Sequence, residues 1–202
     1  MKSSKPKTEQ QQTIQTLETS RFHLSRSITS LSNHLRALLY EYGIVSARGV
    51  KALTTVVQDT LNDADSIPEC LRSTVNQLWL TYLHLKLELA QLIKTKNALI
   101  RQLQPCKKLM DLEGVAEVCA GLLYSSIGDG KQFKNGREAS AFIGLTPKQH
   151  SSGGKVFMTG IVRAGGIKEL RSALYQGALS YICQLPEEPN TAKQAWLIRL
   201  VQ

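Results

Sequence analysis

Residues 10–42 contain no proline or glycine and repeat apolar residues at alternating steps of three and four. Ile14, Leu17, Leu24, Ile28, Leu31, Leu35, Leu38 and Tyr42 fall on one side of a long helix, with Arg21 filling one slot. Gly43 follows as a C-terminal cap. A second seam, Leu71, Val75, Leu78, Tyr82, Leu85, Leu89, Leu92, Leu99 and Leu103, has Lys96 in one slot. It opens after Pro68 and closes before Pro105. Each helix spans about 45 Å. A buried apolar side chain is worth ~1.5–3 kcal/mol, so neither seam can stay in water. The helices pair with each other, with another chain, or both. Between them, residues 44–67 carry a short helical pattern (Val50, Leu53, Val56, Val57, Leu61) and a polar turn at Asn62-Asp63-Ala64-Asp65. An antiparallel helical hairpin is the plain reading, and a dimerising coiled coil the sharper one.

The formal net charge of +9 favours a polyanionic partner such as nucleic acid. It is evenly spread: residues 1–104 hold 13 Lys+Arg against 8 Asp+Glu, residues 105–202 hold 12 against 8, so neither half is a basic tail. Arg21, Arg26, Arg36 and Arg48, with His23 and His34, give the helical part a basic face, read as its solvated side. Cys70, Cys106, Cys119 and Cys183 show neither zinc-knuckle spacing nor a disulfide framework and read as thiols in a reducing compartment. The histidines are too scattered for a metal site. No apolar run suggests a membrane span, and the polar start suggests no signal peptide, so the chain is expected to be cytoplasmic.

Composition changes at Pro105, beyond which most of the glycines lie. Three regions follow: a polar tail at 1–12, a helical coiled-coil region at 13–104, and a small helical domain at 105–202. The fold class is mainly all-α. Within 105–202, Leu109 to Ala120 resembles a helix-hairpin-helix element in which Gly114 frees backbone N–H groups for phosphate oxygens. Ala116 stands where that pattern has a second glycine, and an ordinary turn between helices fits as well. A short helix is expected from Asn135 to a stop at Gly144, with Phe133, Phe142, Ile143 and Leu145 in the core. Next, Pro147-Lys148-Gln149-His150-Ser151-Ser152-Gly153-Gly154-Lys155 sets two hydroxyls beside two glycines and between two lysines. Glycines let a backbone approach phosphate closely, and lysines neutralise its charge. A phosphate-contacting or solvent-exposed loop fits this spacing; a serine nucleophile would need a base or metal ion. Arg163, Gly165, Gly166, Lys168 and Arg171 continue the basic cluster into a helix carrying Leu170, Leu174, Ala178 and Tyr181.

Taken in order, these pieces resemble the transposases of the insertion sequence 110 family, also called the 116/110/902 type, and the related Piv-type DNA invertases. The residues that carry the likeness are Glu113-Gly114-Val115, Phe133-Lys134-Asn135 to Arg137, Gly144-Leu145-Thr146-Pro147, Gln149 to Lys155, then Ile161, Arg163, Gly165, Leu170-Arg171, Leu174 and Ala178. Residues 7–12 and 35–44 are similar to the segment joining that family's two domains. The resemblance implies an N-terminal RuvC-like domain whose carboxylates hold divalent metal, a coiled-coil linker for assembly, and a C-terminal serine that attacks DNA to form a 5′-phosphoserine link. Some members use a structured guide RNA. Carried over, the serine is Ser152, with Ser151 second. Nucleic-acid contacts are expected at Gly114, Lys148, Gln149, Gly153, Gly154, Lys155, Arg163, Lys168 and Arg171.

The acidic set of the RuvC-like domain has no counterpart in this sequence. The expectation is therefore a truncated transposase that binds DNA, and in some settings guide RNA, and self-associates through its coiled coil. It needs no cofactor of its own and does not cleave alone. The alternative is a non-catalytic or inhibitory nucleic-acid-binding subunit in mixed oligomers with a full-length recombinase.

Overall fold

The computed structural model describes residues 6–152, 155–161 and 166–201, and among them the chain is mainly helical, with one small two-stranded sheet. It divides into two compact units: Thr19–Thr95, and the residues on either side of it, up to Glu18 and from Lys96.

The Thr19–Thr95 unit contains most of α1 (Glu9–Tyr40), all of α2 (Val50–Asn62) and most of α3 (Glu69–Gln102). The seams do pack together. Leu35 and Leu39 from late α1, Leu53 and Val57 from α2, and Val75, Trp79 and Tyr82 from early α3 form one buried cluster with Ile67. Late α1 meeting early α3 makes the pair antiparallel. Trp79 and Tyr82 stack with ring centroids 5.1 Å apart. The end of α1 is a Schellman turn. The Gly43 N–H donates to the Tyr40 carbonyl, the Ile44 N–H donates to the Leu39 carbonyl, and Gly43 takes φ +76°. Ile44 then folds back onto the cluster. Asp63 forms the expected polar turn, its carboxylate accepting from the Asp65 N–H.

Burial departs from a strict heptad at the end of α1. Leu39 is fully buried, Leu38 only partly, and Tyr42 is 47% exposed. A straight helix drifts about 20° per heptad from a 3.5-residue repeat, so the buried stripe has rotated by one position at its end.

The other unit joins the first turns of α1 and the last of α3 to α4 (Gln104–Met110), α5 (Glu117–Ile127), α6 (Gly136–Ile143), β1 (Pro147–Ser152), β2 (Lys155–Ile161), α7 (Lys168–Cys183) and α8 (Ala192–Val201). Its core gathers Ile14, Ile100, Cys106, Ala120 and Tyr124. Lys96, the odd cation of the second seam, is completely buried, and its Nζ donates to Glu18 Oε1 at 2.7 Å. Gly121 brings α5 against this pair. A methyl there would lie 2.7 Å from Ile100 Cδ1 and 3.5 Å from Glu18 Oε1. Gln11 of α1 donates to the Tyr124 carbonyl at 3.2 Å, so the start of α1 is tied to α5 by polar as well as apolar contacts. Burial pushes the Cys106 and Cys119 thiols up to about 11, which leaves both protonated and unreactive at neutral pH.

Two expectations are corrected here. Within residues 147–155, read as a loop, Pro147–Ser152 form strand β1, and Lys155 opens the antiparallel strand β2. Phe142, expected in the core, is 45% exposed and lies tilted against the Phe133 ring, centroids 5.3 Å apart. The expected, mainly helical fold class holds, with this one small two-stranded sheet among the described residues.

Removing one member of a buried ion pair strands the other charge and costs about 3–5 kcal/mol, whereas an apolar replacement of both is near neutral. Lys96→Met should therefore lower the urea midpoint sharply, and Glu18→Leu added to it should restore most of the loss. A double variant as unstable as the single would show that the pair is not what holds these helices.

Candidate nucleic-acid interface

Strands β1 and β2 pair antiparallel as a hairpin whose register sets Gln149 opposite Met158, His150 opposite Phe157, Ser151 opposite Val156 and Ser152 opposite Lys155. Both serines and Lys155 thus lie at its turn end; Gly153 and Gly154 lie outside the described residues, as does Arg163. The register shifts between Pro147 and Gln149, where β2 carries one extra residue. Gly160 sits there with φ +59°, the left-handed conformation that a glycine bulge requires. Such a bulge increases the local twist and sets the angle at which the hairpin leaves its base.

The base is built from backbone approach. Asn135 caps α6, its side chain accepting from the Glu138 N–H at 3.0 Å, while the Glu138 carboxylate accepts from the Lys134 N–H at 2.8 Å. At the other end Gly144 takes φ +86°, and the Leu145 N–H returns to the Ser140 carbonyl. On the far side of the hairpin, Gly166 has φ +72° and lies against the Ile143–Gly144 backbone. The Ile167 N–H donates to the Ile143 carbonyl at 3.2 Å, and Arg171 Nη1 donates to the Gly144 carbonyl at 3.1 Å. The end of α6 and the start of α7 are thereby stitched together, and the hairpin rises from that seam. Arg171, expected to contact nucleic acid, is half-buried and works here as a fastener. Lys148 and Lys168 are exposed, one on β1 and one in the first position of α7.

The α4–α5 turn joins α7 by the same device. Gly114 has φ +78°, and a methyl on it would lie 2.5 Å from the Gly177 carbonyl oxygen. Conversely, a methyl on Gly177 would run into the Gly114 carbonyl. One face of Gly114 is therefore filled by α7. The Val115 N–H donates to the Leu112 carbonyl at 3.1 Å, and Ala116 offers α5 no side-chain cap. Glu117 opens α5 and accepts from Arg101 Nε at 2.8 Å; that hydrogen bond, and one from its own backbone N–H, hold its carboxyl below the usual range.

Glu113 was not singled out from the sequence as a partner of α8, yet it accepts from Lys193 and from the Tyr181 hydroxyl at 3.3 Å. The Lys193 hydrogen bond lowers the Glu113 pKa, and the same bond raises that of Lys193. Since the acid is lowered and the base raised, the tie is intact at neutral pH. It is lost as pH falls through the Glu113 titration or rises through that of Lys193.

In sequence, residues 106–193 match the profile of the transposase IS116/IS110/IS902 family. The chain is 32% identical over 197 residues to a transposase for insertion sequence element IS1111A of Coxiella burnetii, covering 97% of this chain and 54% of the relative. It is 35% identical over 196 residues to the putative transposase y4pF/y4sB of Sinorhizobium fredii, covering 97% and 50%. A pilin gene-inverting protein of Moraxella bovis is 32% identical over a shorter stretch of 71 residues, 35% of this chain and 22% of that protein. The chain thus spans about half the length of the curated transposases it matches.

Glycine in a helix interior ordinarily gains about 0.5–1 kcal/mol on change to alanine. At Gly177 the new methyl meets a backbone oxygen, so Gly177→Ala should lower the melting temperature. Gly136, with open space around its α-carbon, supplies the comparison: Gly136→Ala should be neutral or stabilising. Equal gains at both positions would refute the close approach of α7 to the Gly114 turn.

Proposed function

The chain belongs to the IS116/IS110/IS902 transposase family, and from that premise we propose that it is the C-terminal part of such an enzyme, acting in DNA transposition with DNA as substrate. The observation that carries the reading is the hairpin. Ser151, Ser152 and Lys155 stand together at its turn end, on a base that glycine contacts and Arg171 make rigid. A rigid base matters because a nucleophile misplaced by about 1 Å loses orders of magnitude in rate.

In this proposal Ser152 is the nucleophile and Ser151 the second candidate. Its Oγ forms a bond to a backbone phosphorus as the bond from that phosphorus to the 3′-oxygen breaks. The DNA 5′ end is left on the serine, and the departing 3′-oxygen takes up a proton. Lys148, Gln149 and Lys155, with Gly153, Gly154, Arg163 and Lys168, contact the sugar-phosphate strand, and the amides opening α5 beyond Gly114 take a second phosphate. A serine hydroxyl needs a base or a metal-bound oxygen nearby to become nucleophilic. Among the described residues, no three His, Cys, Asp or Glu side chains come together in a way that could hold a metal ion. The residues present do not fit the divalent metal of a RuvC-like domain, so no step is routed through one here. Cleavage is assigned to an assembly in which such a domain supplies the carboxylates, and binding to this chain. A structured guide RNA would meet the same cationic surface.

Self-association is assigned to the outer face of α3, where Leu80, Leu83 and Leu87 are exposed at helical spacing, while Leu71, Val75, Leu78 and Tyr82 of the inner seam pack with α1 and α2. Sedimentation reads this directly. Among the described residues no helix is long and apolar enough to cross a membrane.

Fusing the RuvC-like domain of a relative ahead of the chain should yield strand transfer with a protein–DNA covalent intermediate. Ser152→Ala should abolish both. Full activity in Ser152→Ala would move the chemistry to Ser151 or remove the serine mechanism.

A further inference from the structure

The turn into α6 presents two cations that the fold leaves unused. Lys134 precedes the Asn135 cap, Arg137 is the second residue of the helix, and both are exposed. Arg101, Lys131 and Lys193 of the same unit pair with Glu117, Asp129 and Glu113. Among the described residues no such ion pair holds Lys134 or Arg137. Glu138 stands next to Arg137, yet its carboxylate accepts from the Lys134 N–H at 2.8 Å rather than from either cation. The backbone beneath the two cations is fixed twice. The Asn135 and Glu138 side chains tie the turn, and Phe133 lies against Phe142 of the helix with ring centroids 5.3 Å apart. A turn ordered in advance loses less freedom when a ligand binds.

Between the cations sits Gly136, and the fold gives no reason for a glycine there. Its φ is not positive, and a Cβ on it would meet nothing within 4 Å. Glycine is a poor helix former, and proline or an acidic residue suits the first helical position better. Gly114, Gly166 and Gly177 differ, because a Cβ on each would strike main chain. A glycine with open space where its side chain would be lets a ligand come close to the backbone from outside.

We propose that Lys134, Gly136 and Arg137 grip the sugar-phosphate backbone of duplex DNA, the strand passing over Gly136 with a cation on either side. A polyanion complements two exposed cations whose neighbouring carboxylate is already engaged. The inference rests on DNA being the substrate, as proposed above, but not on the serine chemistry. This contact is distinct from those at the hairpin base. The 8 residues of α6 separate Gly136 from Gly144, an advance of about 12 Å, or roughly three to four phosphate steps along one strand. The two places therefore hold different phosphates of the same duplex.

The experiment is fluorescence anisotropy with the full chain and a labelled mixed-sequence DNA duplex, titrated from about 50 to about 200 mM salt, with a melting curve for every variant. Lys134→Gln with Arg137→Gln should weaken binding roughly tenfold and flatten the salt slope by about two, one for each phosphate no longer neutralised. Gly136→Leu removes no charge. It should weaken binding several-fold while melting no lower than the parent, because the new side chain meets nothing in the fold. Lys51→Gln with Lys94→Gln removes two exposed cations of the other unit and should change little. Equal weakening by that pair would make bulk charge the explanation and overturn the site. Gly136→Leu binding as tightly as the parent would overturn it too, since no strand then passes over the glycine. Weakening confined to a labelled RNA of equal length would overturn the assignment to DNA. If the α6 variants bind like the parent while Lys148→Gln with Lys168→Gln binds less tightly, this contact is overturned and the hairpin reading stands. A parent chain without salt-dependent DNA binding overturns both.

Discussion

The buried ion pair between Glu18 and Lys96 is the constraint on which the C-terminal architecture rests. Neither charge can stay buried without the other, and the two are 78 residues apart in sequence. Apolar seams alone tolerate sliding, because one leucine can replace another in the same slot. A charged pair tolerates none: one step of register would leave both ions unpaired in an apolar surrounding. The pair thus fixes which turn of α1 faces which turn of α3. Gly121 then lets α5 close over it, and α5 carries the turn that Gly114 forms against α7.

From that point outward, glycine backbones repeat one device. Where two elements must meet at less than side-chain distance, each of the two junctions, Gly114 with Gly177 and Gly166 with the Ile143–Gly144 turn, removes a Cβ so that main chain touches main chain. Close backbone packing leaves few alternative arrangements, which suits an element that must hold a reacting group in place. The hairpin stands on such a base, with Arg171 bonded to the Gly144 carbonyl beneath it. The cationic side chains divide accordingly into fasteners and exposed groups, and sequence clustering alone does not separate the two.

The helical skeleton was legible because its signal is local and periodic. Leucines at three-and-four spacing, Gly43 as a left-handed cap, Pro68 and Pro105 as boundaries, and Asn135 with Gly144 bracketing α6 each report on neighbours a few residues away. What escaped needs partners distant in sequence. Lys96 stood out as a misplaced cation, but nothing beside it names Glu18 as its partner. Gly114 reads as the glycine of a turn, but nothing beside it announces that Gly177, far along the chain, presses against it. Residues 147–155 read as a loop because their serines and glycines are turn formers, whereas the strand partners, Val156 to Met158, follow the turn. Strand formation depends on that pairing more than on intrinsic preference. Phe142 shows the reverse error: an apolar residue on a short helix looks like core unless its neighbours are known, and here it is half exposed.

If the β1–β2 hairpin is the part of this chain that grips DNA, the binding must shield its backbone. Hydrogen–deuterium exchange on the intact chain, with and without duplex DNA, reads that shielding without requiring catalysis. Slower amide exchange in β1 and β2 on adding DNA is the result expected. Demonstrable DNA binding with exchange in both strands unchanged would contradict it.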